Sequence, residues 1–251
     1  MFLSTKITPI FTFFSFFISR TLSPIFFKSY KDLSIKERYN WDSRYGSQIY
    51  AFFVLYCLSI MWDETDFKSQ ISEVDEDFTC KESIIFTETE TSRWVMEISM
   101  VYFITDAFIC WFYKISGLEI LFHHFIVSFG VFFTLYEKKS QFMISWLLFS
   151  EGTTFFVNNR WWLYKMKMHN TFWYKINAMC LLISWLFCRL FPIFFYYKHM
   201  INDYHKYKYA IIPFYKLLLF ILPSFLGVLN LYWFLLILHG FNDFYKKIIK
   251  K

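Results

Sequence analysis

Long apolar runs alternate with short polar segments along almost the whole chain. A membrane-spanning helix needs about 20 mostly apolar residues, and seven runs approach or reach that length. Three of them carry no charged residue, and the other four carry only one or two. The seven runs are residues 7–27, 47–62, 94–113, 120–136, 140–159, 171–197 and 217–238. This pattern predicts an all-α protein, a polytopic membrane helix bundle of about seven spans, with the first run as an additional N-terminal span or anchor.

Composition supports the same class. The chain has 251 residues, of which 57% are hydrophobic, 25% aromatic and 18% charged. Ordinary soluble domains are roughly 45–50% apolar with about 25% charge, and disordered chains are poor in aromatic residues. A soluble enzyme and a disordered chain are therefore both excluded. We expect membrane lipids as partners and no nucleic acid.

Loop charges predict the orientation, because cytosolic loops carry an excess of Lys and Arg. Residues 28–44 hold five Lys or Arg, the loop at 160–167 holds three, and the tail at 246–251 holds four. The opposite side includes the loop at 63–92, with 10 of the 20 acidic residues. We expect a cytosolic C-terminus and a solvated acidic loop on the lumenal or outer side.

Ionisable residues inside the spans are costly and mark candidate functional sites. Counted from the short turns at a rise of 1.5 Å per residue, Asp106, His123, His124 and Glu151 fall at one depth on three consecutive spans. Three interpretations are open: a hydrogen-bonded layer that holds the helices together, an acyl-transfer site with a histidine as base or nucleophile, or a transition-metal site. The five cysteines form an odd, scattered set without a zinc motif, so we predict no metal.

A second group of polar residues follows Glu151. Thr154 and Asn158 share a helical stripe with Glu151, and Arg160 lies at the cytosolic border beside two tryptophans. Glu151, Asn158 and Arg160 are candidate substrate-binding residues. For Arg160, the alternatives are an interfacial anchor and recognition of an anionic head group.

Five segments together resemble the TLC-domain family, which includes ceramide synthases, TRAM translocon-associated proteins and small lipid-homeostasis membrane proteins. In chain order they are WDSRYGSQIYA at 41–51, YFITD at 102–106, LFHH at 121–124, EGTTFFVNNRW at 151–161 and NLYW at 230–233. The resemblance implies a core of about six helices around a lipid-sized cavity, in a membrane of the endoplasmic-reticulum type. It implies an N-terminal span and linker at 1–40, a TLC domain at 41–240 and a basic tail at 241–251.

In ceramide synthases the paired histidines serve the transfer of a fatty acyl group from acyl-CoA to a sphingoid base. Carried over, His123 or His124 would be the catalytic base or acyl acceptor and Asp106 its partner, with acyl-CoA as co-substrate and no bound cofactor. However, the acidic residues that follow the histidines in ceramide synthases are missing, since the next carboxylate after His124 is Glu137. The resemblance is therefore to the small TLC-domain branch. A role in lipid homeostasis is the first hypothesis and an acyltransferase the alternative, so whether the protein is an enzyme stays open.

Overall fold

The structure, a computed structural model, describes residues 4–64, 88–202, 204–209 and 211–249. The acidic loop lies largely outside these ranges. All regular structure in the described residues is helical and comprises eleven α-helices and two irregular helical segments. Their bounds are α1 Ser4–Phe26, α2 Lys28–Lys31, α3 Ile35–Glu64, α4 Glu90–Phe112, α5 Leu118–Glu137, α6 Gln141–Leu147, α7 Thr154–Lys165, α8 Phe172–Trp185, α9 Phe191–Asn202, α10 Tyr204–Tyr207 and α11 Pro213–Ile249.

These helices form seven long rods within the described part of the chain, in agreement with the seven predicted runs. Four rods are long and apolar enough to cross a membrane, namely Glu90–Phe112, Leu118–Glu137, Phe172–Asn202 and Pro213–Phe241. A shorter apolar helix covers Ile10–Phe26. Large apolar side chains such as Phe125, Phe132 and Leu231 are exposed on the outer surface. Apolar surface of this kind is stable against lipid rather than water, so the protein is a membrane helix bundle.

The N-terminal helix packs against α3 and α4. Its main polar anchor is Asp42, whose side chain is fully buried. Ser19 donates a hydrogen bond to Oδ1 of Asp42 at 2.8 Å, and the Tyr30 hydroxyl donates to Oδ2 at 2.9 Å. Burial and the Asp42 carboxylate raise the pKa of Tyr30 above its usual range, so its hydroxyl stays a donor at neutral pH. The first helix is thereby fastened to the rest of the bundle.

Two irregular turns interrupt the rods and meet inside the bundle. The rod that corresponds to the fifth predicted run, residues 140–159, contains a 3₁₀ segment, Leu148–Thr153, between α6 and α7. The sixth contains a π-helical segment, Leu186–Leu190, between α8 and α9. A Cβ atom at Gly152 would lie only 3.2 Å from Sγ of Cys188, so the small residue permits this close approach. Segments of both types are frequent at functional sites.

Candidate functional site

A cavity of about 450 Å³ opens between the helices next to these two turns. All six site residues predicted from the sequence line it. The rest of its polar wall comes from Ser47, Thr154 and Arg189, and its apolar wall includes Phe103, Trp185 and Trp233. Helices α3, α4, α5, α7, α8 and α11 thus converge on one pocket. The residues that the structure brings together are Asp106, His123, His124, Glu151, Asn158 and Arg160.

The closest polar contact across the cavity wall joins α4 and α5. Nε2 of His124 lies 3.2 Å from Oδ2 of Asp106, and both side chains are buried. Cys110 is one helical turn beyond Asp106, and its Sγ lies 3.8 Å from the same oxygen. The Ser116 hydroxyl donates a hydrogen bond to that sulfur at 3.2 Å. Asp106 therefore joins an imidazole and a thiol in one buried group.

The second histidine occupies a different environment. The His123 ring packs edge-on against Trp233 at 5.5 Å and against Phe103 at 6.1 Å. Its Nδ1 and that of His124 are both buried without a hydrogen-bond partner among the described residues. Adjacent helical residues point about 100° apart, which explains why only His124 reaches Asp106. A buried nitrogen without a hydrogen-bond partner lowers stability by about 1–3 kcal/mol. A hydrogen bond from a polar ligand atom to this nitrogen would therefore be favourable.

Arg189 is the principal site residue that the sequence analysis missed. Its guanidinium donates through Nε to Oγ1 of Thr153 at 2.7 Å and through Nη1 to Oδ1 of Asn230 at 3.0 Å. The guanidinium carbon also lies 4.5 Å from the Trp185 ring centroid. Arg189 also interacts electrostatically with Glu151, whose carboxyl group accepts a hydrogen bond from the Thr154 hydroxyl at 3.0 Å. A lone arginine within an apolar run was the available signal.

Asn158 acts as a bridge as well as a wall residue. Its Oδ1 accepts a hydrogen bond from Nη1 of Arg44 at 2.9 Å. Its Nδ2 donates to the Ser47 hydroxyl at 3.0 Å and to Oε1 of Gln48 at 3.2 Å. These contacts join α7 to α3. The amide is therefore largely committed to holding the two helices together.

Arg160 is half-buried and lies towards one end of the cavity. Its Nε donates to the Tyr174 hydroxyl at 3.4 Å, and its Nη2 lies 3.4 Å from where a Cβ of Gly240 would be. It also lines an adjoining cavity of about 250 Å³ with His169 and Tyr174. A cation shared by two cavities is suitably placed to meet an anionic group that enters between α7, α8 and α11.

On its other side, the polar wall borders a narrow apolar cleft between α5 and α11. Its lining includes Val127, Gly130, Leu222 and Leu226. Phe103, His123, Glu151 and Arg189 line both this cleft and the cavity. Polar side chains of the cavity therefore lie directly beside the apolar cleft.

The fold and site define a polytopic membrane protein with a polar pocket inside its helix bundle. Residues 40–239 match the family model for the TLC domain. The chain belongs to the TLC-domain family. It is 24% identical over 230 residues to TLC domain-containing protein 4 A of Dictyostelium discoideum, and the match covers 89% of this chain and 82% of that protein. No solved structure matches the chain at a significant level.

Proposed function

We propose that the protein binds a membrane lipid, with the polar head group in the cavity and an acyl chain in the apolar cleft, and acts in lipid homeostasis. The shared wall formed by Phe103, His123, Glu151 and Arg189 carries this proposal. Lipid sites combine a mostly apolar lining with a few placed polar groups. Here the polar side chains lie where the cavity and the cleft adjoin, which is where the head group of a bound lipid would be joined to its acyl chain.

The wall chemistry indicates the kind of head group. Arg189 offers guanidinium donors, whereas Asp106 and Glu151 offer carboxylate acceptors. A head group with a carbonyl or anionic oxygen would pair with the guanidinium, and a head group with an amine or hydroxyl would pair with the carboxylates. A sphingoid-type lipid carries both an amine and hydroxyls. We therefore favour a lipid amine or hydroxyl as the group that is recognised.

The internal volume of the cleft is about 60 Å³, which is too small for a full acyl chain. Chain entry accordingly requires α5 and α11 to separate. Pro223 lies inside α11 and lines the cleft. Because proline removes a backbone hydrogen bond and bends a helix, α11 has a point at which such a movement can occur.

Filling the cleft tests this proposal. Leu222→Trp places an indole in the cleft, while Leu231→Trp makes the same change on the exposed face of α11. The full chain is purified in mild detergent, and the lipid retained per chain is measured by native mass spectrometry. We expect a defined lipid on the wild type and on Leu231→Trp, and at least a tenfold loss on Leu222→Trp. Equal lipid retention by both variants would contradict the proposal that the cleft holds the acyl chain.

A second candidate function is acyl transfer, and the 3.2 Å contact between His124 and Asp106 favours it. A carboxylate orients a histidine and raises its basicity. In the reaction, a lipid amine or hydroxyl attacks the thioester carbonyl of acyl-CoA and loses its proton to the histidine. The carbon–sulfur bond then breaks, and coenzyme A leaves as the thiol with that proton.

Labelled acyl-CoA and a sphingoid base distinguish the two functions. If the enzyme function holds, the wild type turns over and His124→Ala is reduced at least 100-fold. His199→Ala serves as the control, because His199 lies in α9 outside the lining of the cavity and the cleft. A purified wild type that retains lipid without turnover supports lipid binding alone.

We further propose an endoplasmic-reticulum-type membrane and a cytosolic C-terminus, on the basis of the loop charges and the family. Protease treatment of sealed microsomes containing a C-terminally tagged chain tests the orientation. The tag is expected to be digested without detergent. A tag that is protected until the membrane is dissolved would reverse the orientation.

A further inference from the structure

We propose that Asp106, Cys110 and His124 bind a zinc ion at the edge of the cavity. One ligand atom from each residue lies within 4.8 Å of the other two, and all three side chains are buried. Asp106 and Cys110 are one helical turn apart on α4, and His124 faces them from α5. Neighbouring helices therefore bring three donors of different chemistry to one point.

The two distances from Asp106 to the other donors are close to those of a tetrahedral zinc site. Zinc bonds of about 2.0–2.1 Å to oxygen and nitrogen, and about 2.3 Å to sulfur, separate ligand atoms by roughly 3.3 Å for nitrogen and oxygen and 3.5 Å for sulfur and oxygen. The observed separations are 3.2 Å between His124 and Asp106 and 3.8 Å between Cys110 and Asp106. Two of the three distances between the donors are thus close to those of such a tetrahedron, and the third, between Cys110 and His124, is within 4.8 Å.

The donor set selects the type of metal. A thiolate, an imidazole and a carboxylate suit zinc, whereas magnesium and calcium prefer oxygen ligands alone. The Ser116 hydroxyl donates to Sγ of Cys110 at 3.2 Å, and a hydrogen bond of this kind stabilises a coordinated thiolate. In the membrane interior, the ion would also balance the negative charge of Asp106.

The position of the three residues leaves one coordination place open to the cavity. Asp106 and His124 line the cavity wall, whereas Cys110 lies behind it. Three protein ligands with an open fourth position are typical of catalytic rather than structural zinc sites. If the proposed lipid-binding function holds, the fourth ligand is a carbonyl or hydroxyl oxygen of the head group. Otherwise it is water.

Metal analysis of the purified full chain tests the site. The protein is treated with ZnCl₂, desalted and analysed by inductively coupled plasma mass spectrometry. We expect about one zinc per chain, lost at least tenfold in Cys110→Ala. Cys57→Ala is the matched control, because Cys57 is also buried and lies in the apolar core away from the cavity. Zinc below one tenth per wild-type chain, or equal zinc in both variants, would overturn the proposal.

Cobalt gives a readout that does not depend on the folding of a variant. Wild-type protein titrated with CoCl₂ is expected to show tetrahedral d–d bands and a thiolate-to-cobalt charge-transfer band at one equivalent. Absence of the charge-transfer band would show that Cys110 is not a ligand and would overturn the site. Lipid retention measured on the same samples reports the proposed function separately, so the failure of one is distinguishable from the failure of the other.

Discussion

Arg189 of the π-helical turn and Thr153 of the 3₁₀ turn are joined by a buried hydrogen bond of 2.7 Å. The contact links the two irregular segments at the level of Glu151. It also fixes one edge of the guanidinium, while Asn230 holds a second nitrogen at 3.0 Å. A positive charge is thereby held in place at the boundary between the cavity and the apolar cleft.

This relationship predicts that Arg189→Lys destabilises the protein although the charge is kept. A lysine ammonium cannot reproduce the fork that contacts Thr153 and Asn230 together. We expect a loss of about 1–3 kcal/mol in the free energy of unfolding, measured by thermal or denaturant unfolding in detergent. Arg20→Lys is the control, since Arg20 is half-buried and contacts Asp42 only at 3.5 Å. A similar small effect for both variants would show that the fork is not required.

Asn158→Ala is expected to loosen the junction of α3 and α7. The change removes the acceptor of Nη1 of Arg44 and the donor to Ser47, while Nε of Arg44 keeps its hydrogen bond to Oδ1 of Asn40 at 2.9 Å. Losing these hydrogen bonds costs about 1–3 kcal/mol, which an unfolding titration can measure. Asn159→Ala at the next position should change stability by less than about 0.5 kcal/mol. If Asn158→Ala is equally silent, the bridge contributes nothing.

The attachment of the first helix depends on Asp42. Replacement by alanine leaves the hydroxyls of Ser19 and Tyr30 without their buried acceptor, at an expected cost of about 2–4 kcal/mol. The exposed Asp32 provides the control substitution Asp32→Ala. Limited proteolysis should release α1 faster from Asp42→Ala than from wild type. Unchanged cleavage would indicate that apolar packing alone holds this helix.

The pH dependence of the ion pair between Glu37 and Lys165 has a definite sign. Glu37 and Lys165 are 2.5 Å apart, before the spanning part of α3. The Lys165 hydrogen bond and two bonds from Ser34 lower the pKa of Glu37 to about 2, against about 4.3 for an unperturbed glutamate. The contribution to stability is therefore present above about pH 5 and is lost as the pH falls towards 2.

Glu37→Gln removes that charge and keeps much of the hydrogen-bonding shape. Because both side chains are partly exposed, the expected stability loss at neutral pH is only about 0.2–1 kcal/mol. The difference in unfolding free energy from wild type should shrink as the pH is lowered from 5 to 2. A difference that grows with acidification would have the wrong sign for a carboxylate with a lowered pKa.

The sequence predicted much of the bundle, because a membrane imposes a simple rule on chain segments. Apolar runs of span length become helices, and the seven runs correspond to the seven rods. The breaks at 148–153 and 186–190 were not predicted. Their hydrogen-bond register depends on contacts between rods, such as Gly152 against Cys188, which no local pattern encodes.

For the site residues, the depth in the membrane was easier to predict than the direction in which each side chain points. Counting residues from the turns placed Asp106, His124 and Glu151 at one level, and the structure places all three on one cavity wall. Rotation about each helix axis was unknown, and so was the arrangement of helices distant in sequence. Arg189 consequently remained one of two isolated charges in the sixth run, although it contacts Thr153 and Asn230. Cys110 had a visible signal, its one-turn spacing from Asp106.

The location of a bound lipid chain is the most direct test of the account. A lipid with a photoactivatable diazirine in its acyl chain is added to membranes that contain the protein, crosslinked by light and mapped by peptide mass spectrometry. Adducts are predicted on Val127, Leu222 and Leu226, which line the cleft. Adducts confined to outward-facing residues such as Phe132, Leu231 and Leu235 would contradict an internal lipid site.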